Sequence, residues 1–413
     1  MTPFKICKFK RFIKLILIIP IFTLACCEYA MAKKGNEYIL FGQITPDEGG
    51  YIDKPSKIYL IDSNKKIMFQ WNVPTSFQLG RLLPSGNLLY STRDRSFIKR
   101  AGLREIDTFG NILWYYPCRI DHDFEVLPNG NYLIHTIEGA PGTEHTARKT
   151  PKNPRIIEVN RDKQIVWEWN GQDHLKELGD LLGSKVSLNR SDWAHNNTVS
   201  VIGPNASAKS DPRFKEGNIL FSYCRLNTIG VIDRKSNEIV WAWGPGQLDA
   251  QHSVQMLENG NLLLFDNGRR RGYSRVIEMN PLSNKIVWEY KTKNPKDLFS
   301  PTISGVQRLP NGHTFICSGE QNPITRKTED KPTTTGWDKM VLLFFKPWDA
   351  QFTEVTSEGK VTWGYKNHFY EKNSYGVYRA TQYSSEYLKP LFNRIENNIK
   401  KNNSNLKSLP YIA

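Results

Sequence analysis

Apolar and polar residues alternate with period two along most of this chain, and turn residues cut the alternation into short runs. Successive side chains of a strand point to opposite faces, so such runs read as half-buried β-strands. One phrase recurs. Gln251 to Asn261 reads as a strand, a tight turn at Asn259-Gly260 and the start of a second strand. Asp121 to Asn131 nearly repeats it, Gln78 to Asn87 and Ser304 to His313 are further copies, and a degenerate copy starts at His195. A second phrase closes each unit. It is an apolar run with tryptophan after a polar turn, as in Ile165-Val166-Trp167-Glu168-Trp169, Ile239-Val240-Trp241-Ala242-Trp243 and Ile286-Val287-Trp288-Glu289-Tyr290.

Six such units of about 45 residues before insertions predict an all-β fold, a six-bladed β-propeller. The first unit lacks its opening strand, and Tyr375 to Tyr383 is the candidate to supply it. Pairing this C-terminal strand into the first blade closes the ring and removes an open edge. The competing arrangement is an open pair of β-sandwiches. Insertions at 140–153, 171–191, 203–216 and 321–350 fall between strands and are expected to crown the ring. The expected organisation is a signal peptide over 1–32, the propeller over 33–390, and a disordered Asn- and Lys-rich tail over 391–413.

Composition narrows the partners. Aromatic residues make up 12% of the 413, which favours strands over helices. The net charge of +15 attracts anions, but the basic residues are scattered, so no nucleic-acid partner is expected. Lys5 to Lys14 forms a charged region, Leu15 to Cys27 an apolar stretch, and Ala30-Met31-Ala32 a small-residue cleavage site. A periplasmic or secreted protein cleaved after Ala32 is expected. The apolar stretch is short for a stable membrane span. Lipidation at Cys26 or Cys27 is the alternative, disfavoured because Thr23-Leu24-Ala25 is a poor match to the residues that usually precede a lipidated cysteine. Cys118, Cys224 and Cys317 follow; an odd number permits at most one disulfide, and no CxxC pair suggests zinc or redox chemistry.

Counting six residues back from the Pro or Glu of each repeated turn lands on Gln78, His122, His252 and Ser304, and the degenerate copy puts His195 there. The inner strands of a propeller line its channel in the same direction, so one repeat position sits at one height. His122, His195 and His252, on three consecutive blades, are therefore expected to converge at one channel mouth. Arg225 ends the antiparallel second strand of the fourth unit and should return to that level. Such a cluster suits a tetrahedral oxyanion, because its donors converge and arginine offers a fixed fork. Three histidines also suit a metal, but the permanent charge of Arg225 opposes a cation, so no metal is expected. Asp121, Asp192 and Asp249 are candidates to orient the imidazoles, although acids at strand ends are usually solvated.

With these motifs in view, the chain resembles the bacterial arylsulfate sulfotransferases, six-bladed propeller enzymes. The resemblance spans about residues 36–385. It rests on Asp121-His122 with Leu127-Pro128-Asn129-Gly130, Trp193-Ala194-His195-Asn196-Asn197-Thr198, Phe221 to Arg225, and Gln251-His252 with Phe265-Asp266-Asn267-Gly268. It implies that His252 is transiently sulfated while His122, His195 and Arg225 hold the sulfuryl oxygens. The implied reaction is PAPS-independent transfer of a sulfuryl group from an aryl sulfate donor to a phenolic acceptor, with no cofactor. Tyr223 and Phe265 are candidates to stack on the aryl ring. Two features depart from the family pattern: Asn197-Thr198 replaces Asn-Ser, and Tyr223-Cys224-Arg225 replaces Ser-Ser-Arg. Few residues precede the first blade, where the best-known members carry a separate β-domain that helps dimerisation. No GxxxxGK phosphate loop and no Cys-x-Pro-x-Arg sulfatase sequence is present. Two other readings share the fold: a non-catalytic secreted propeller binding an anionic ligand or protein partner in its channel, and a quinone-dependent dehydrogenase, which usually has more blades and a calcium site.

Overall fold

The computed structural model describes residues 37–44, 55–92, 101–138, 152–186, 188, 192–321, 349–367 and 376–407. The leader over 1–32, with Cys26 and Cys27, lies outside them, as do most of the insertions at 140–153 and 321–350.

Six four-stranded antiparallel sheets follow one another along the chain. Their inner strands are Thr381–Ser384, Gly80–Leu82, Ile120–Val126, Asn196–Val201, His252–Met256 and Gly305–Arg308, in blades one to six. This is the six-bladed propeller. The C-terminal strand pairs with Glu37–Gly42, matching Leu40 to Thr381 and Glu37 to Ser384, so the chain end completes blade one.

Repeated residues hold repeated contacts. In four blades the turn after the inner strand is closed by the same backbone bond: Leu83 to Asn87, Leu127 to Asn131, Leu257 to Asn261 and Leu309 to His313. The last turn residue then reaches a glutamate on the third strand: Asn87 to Glu105 at 2.7 Å, Asn131 to Glu158 at 2.5 Å, Asn261 to Glu278 at 2.6 Å and His313 to Glu354 at 2.6 Å. His313 is thus a structural substitute for asparagine. Four of the fourth-strand tryptophans clasp neighbouring blades. Nε1 of Trp114, Trp167, Trp288 and Trp363 donates to Arg161, Asn237, Ser357 and Ser63 of the next blade. An indole N–H that is taken out of water needs such an acceptor, which explains the recurrence without any cofactor.

The tail is corrected. Residues Ser385–Lys407 form a helix where disorder was expected from residue 391. Leu388, Leu391 and Phe392 are buried against Tyr38 and Leu82, and Ile395 packs beside them. This i, i+3, i+4, i+7 spacing makes one apolar stripe on an otherwise polar helix, which composition hides. Gly86 admits the helix: a Cβ there would lie 2.8 Å from the Leu391 backbone, and its φ of +81° suits glycine. Arg394 then bonds Asn87 Oδ1 at 2.6 Å and the Ser85 carbonyl at 2.7 Å.

Candidate active site

The closing bonds of the turns give an exact ruler for the inner strands. Five residues before Leu83, Leu127, Leu257 and Leu309 stand Gln78, His122, His252 and Ser304. The corresponding bond of blade four runs from Ile202 to Asn218, so the repeat position there is Asn197. The expectation for His195 is corrected: it stands two residues upstream. Its side chain enters the cluster because the backbone turns left-handed there, with φ 48°. His122 at φ 67° and Ser253 at φ 57° mark similar breaks, and pairing slips by bulges between Ile120 and Phe124, Asn196 and Val199, and His252 and Gln255. Bulges re-aim side chains at a strand end.

The geometry brings the four residues together. The rings of His122 and His195 lie 4.6 Å apart, centre to centre, and His122 also faces the Tyr378 ring at 5.7 Å. Cys224 and Arg225 donate their backbone N–H groups to the carbonyls of His195 and Ala194, which seats Arg225 beside His195. His252 joins through Asn197, whose amide donates to the Gln251 carbonyl at 2.8 Å, and Thr198, which accepts the Ser253 N–H at 3.0 Å.

One carboxylate serves the cationic side. Asp192 Oδ2 accepts from His195 Nδ1 at 2.6 Å and lies 3.6 Å from Lys152 Nζ and 3.8 Å from Arg225 Nη2. Burial opposes its charge, but His195, Lys152 and Arg225 outweigh burial and hold Asp192 well below the usual carboxylate range. Asp121 approaches His122 Nε2 at 3.5 Å. Asp249 does not orient an imidazole. Its Oδ2 accepts the backbone N–H groups of Arg270 at 2.7 Å and Arg271 at 2.8 Å, so it caps the loop after blade five's second strand.

His252 is held differently. Its Nδ1 lies 2.8 Å from Asn267 Oδ1 and 3.0 Å from the Ala250 carbonyl. Asn267 Nδ2 donates to the carbonyls of Ser300 and Ile303, both at 2.8 Å, so its oxygen must face the imidazole. Both partners of Nδ1 are then acceptors, Nδ1 carries the proton, and the lone pair is on Nε2. Burial pushes the His252 pKa down to about 3, helped by the charges of His195 and Arg379, against the raising effect of Asn267 and Ala250. The imidazole is neutral at ordinary pH.

Several contributors were not foreseen as site residues. His135 on the second strand of blade three donates Nδ1–H to the Asp121 carbonyl at 2.6 Å, and burial lowers its pKa. With Asp121, Lys152, Asp192 and His195 it lines a cleft open to solvent. Its signal was a histidine on the strand antiparallel to His122. Asn197 and Asn267 stand in the motifs that carry the resemblance, but nothing there pointed to their contacts, and Lys152 had no signal. Tyr223 and Phe265 are fully buried in blade packing, which corrects their assignment to the aryl ring. Cys118, Cys224 and Cys317 are free thiols, and burial pushes Cys224 and Cys317 up to about 12. Among the described residues no three His, Cys, Asp or Glu side chains converge as a metal site. No described helix is long and apolar enough to cross a membrane.

Fold and site together define a six-bladed propeller with a polar cluster built from imidazoles, a guanidinium and a buried carboxylate. The chain belongs to the arylsulfotransferase (ASST) family, whose model matches residues 51–250 and 247–379. Membership supports a sulfotransferase-like enzyme acting on small molecules. No curated protein matches. Among solved structures, a protein of unknown function from Bacteroides caccae is 17% identical with a TM-score of 0.50, covering 84% of this chain and 99% of that one. A europium-containing methanol dehydrogenase is 12% identical with a TM-score of 0.37, covering 80% and 67%. The β-propeller domain of Cps50 (Swd1) from Myceliophteria thermophila is 10% identical with a TM-score of 0.41, covering 78% and 83%.

Proposed function

We propose that this protein transfers a sulfuryl group from an aryl sulfate ester to a phenol through a sulfohistidine at His252. The observation that carries the reading is the His252 imidazole: neutral, buried, and locked by Asn267 and Ala250 in the tautomer whose free lone pair is on Nε2. That nitrogen attacks sulfur in line, an N–S bond forms, and the bond from sulfur to the aryl oxygen breaks. The leaving phenolate takes a proton from the imidazolium of His195, whose Nδ1–H stays on Asp192. Arg225 and His122 stabilise charge on the remaining sulfuryl oxygens. In the second half, an acceptor phenol attacks sulfur, His195 takes its proton, and the N–S bond breaks to restore His252. No nucleotide takes part.

The test is incubation with 4-nitrophenyl sulfate, with and without phenol. Release of 4-nitrophenol accelerated by phenol, together with one SO₃ group on the peptide containing His252, supports the reading. Ligand binding without either product identifies a binding propeller instead. The leader pattern over 1–32 supports export, and the mature protein is expected to begin at Lys33 on N-terminal sequencing.

A further inference from the structure

One residue past His122, Asn197 and His252 stand Asp123, Thr198 and Ser253, the next layer of the channel. Each ties its blade to a neighbour. Asp123 Oδ2 accepts the Val199 N–H at 3.2 Å, Thr198 Oγ1 the Ser253 N–H at 3.0 Å, and Ser253 Oγ the Val306 N–H at 3.3 Å. Blade six has Gly305 in this layer, and a Cβ there would lie 2.5 Å from Cγ of Arg379. The missing side chain makes room for an arginine delivered by another part of the chain.

Arg379 is 10% exposed and donates Nη1 to both oxygens of Asp123, at 3.2 Å each. Its Nε and Nη2 are buried, and no hydrogen-bond partner meets them among the described residues. Buried donors of a permanent cation are costly to leave unpaired, so these two atoms call for an acceptor. Asp123 is already shared with Arg81, whose Nη2 lies 3.4 Å away. Two guanidinium groups thus share Asp123, while burial pushes up Glu125, the neighbouring acid, against the charges of Arg81 and Arg379. The Arg379 charge also reaches His252, where it disfavours the imidazolium.

We propose that Arg379 is a further anion-binding residue of the site, donating Nε–H and Nη2–H to oxygens of the group carried at His252. The identity of that group as sulfuryl rests on the function proposed above; the subsite itself rests on the unpaired guanidinium. Arg379 lies two residues ahead of the closing strand Thr381–Ser384, so ring closure brings it to the channel. The site is complete only when the C-terminal segment has docked.

The test is calorimetric titration of the full chain with inorganic sulfate. Variants are Arg379→Gln, Arg379→Lys, and the double change Asp123→Asn with Arg379→Gln, which removes both charges so that neither is buried alone. Sulfate affinity is expected to fall about 10- to 100-fold in Arg379→Gln and in the double variant, as for lost hydrogen bonds to a charged group, and less in Arg379→Lys. A folded variant of either kind, judged by circular dichroism, that binds sulfate like the parent overturns the proposal, and so does a parent that binds no sulfate. The two readings separate cleanly. If affinity depends on Arg379 but 4-nitrophenyl sulfate is never turned over, the subsite stands and sulfuryl transfer falls. If turnover proceeds and the Arg379 variants bind sulfate normally, the subsite alone falls.

Discussion

Asn267 presents its side-chain oxygen to Nδ1 of His252 at 2.8 Å while its amide nitrogen is anchored on two carbonyls. The contact decides which nitrogen of the imidazole is basic, and it comes from the residue just past the second strand of the same blade. Replacing Asn267 by Leu keeps the bulk and removes the oxygen. Misaimed by a fraction of an ångström, His252 should lose on the order of 10²-fold in kcat with little change in KM. Steady-state rates with 4-nitrophenyl sulfate check this; an unchanged kcat removes Asn267 from the mechanism.

Asp192 holds His195 Nδ1 at 2.6 Å, and in the proposed mechanism His195 hands over its proton through Nε2. His195→Gln should keep slow transfer from donors whose phenol leaves easily and fail with poorer leaving groups. A series of substituted phenyl sulfates gives the slope. Equal losses for every donor would move the acid role to His122.

Arg225→Lys keeps the positive charge beside Asp192 and loses the planar fork. A fall of roughly 10²- to 10³-fold in kcat is expected, the cost of one lost oxyanion donor. A rate within twofold of the parent would mean that Arg225 only neutralises Asp192.

Stability should depend on pH through His252. Its folded pKa of about 3 lies below the ordinary 6.5, so the unfolded chain binds the proton first. The contribution is fully present above about pH 6.5 and is lost as pH falls toward 3. Between pH 7.5 and 5 the loss is roughly 2 kcal/mol, at about 1.4 kcal/mol per pKa unit. Urea unfolding of the parent and of His252→Gln should therefore differ in pH slope by that amount over this window. Parallel slopes would show that His252 is protonated at the same pH folded and unfolded.

The C-terminal helix gives a test of the fold. Phe392 is 6% exposed and its ring lies 4.9 Å from that of Tyr38. Phe392→Ala should cost about 3 kcal/mol or more, where a change in a disordered tail would cost nothing. Denaturant midpoints measure it, and sulfate transfer below the melting range should be unaffected.

By itself, the sequence determined the repeat, the blade count and the strand that closes the ring. Those follow from period-two alternation and turn residues, which act within a few positions along the chain. It also marked His122, His195, His252 and Arg225 as partners. Yet the reason it gave for His195 was off by two residues. Asn197 holds the repeat position, and His195 enters only because its backbone turns left-handed beside a bulge. A bulge changes which face a side chain meets, and composition carries no trace of it. The helix over Ser385–Lys407 escaped for a similar reason: four apolar residues matter only once blades one and two provide the surface that buries them. Tertiary structure decided further partners of the site. Asn267 meets His252 when the first two strands of blade five pair, and Asp123 meets Arg379 only through ring closure. Asp123 and Arg379 are 256 residues apart, and no local pattern can pair residues that meet only when the last strand completes the first blade.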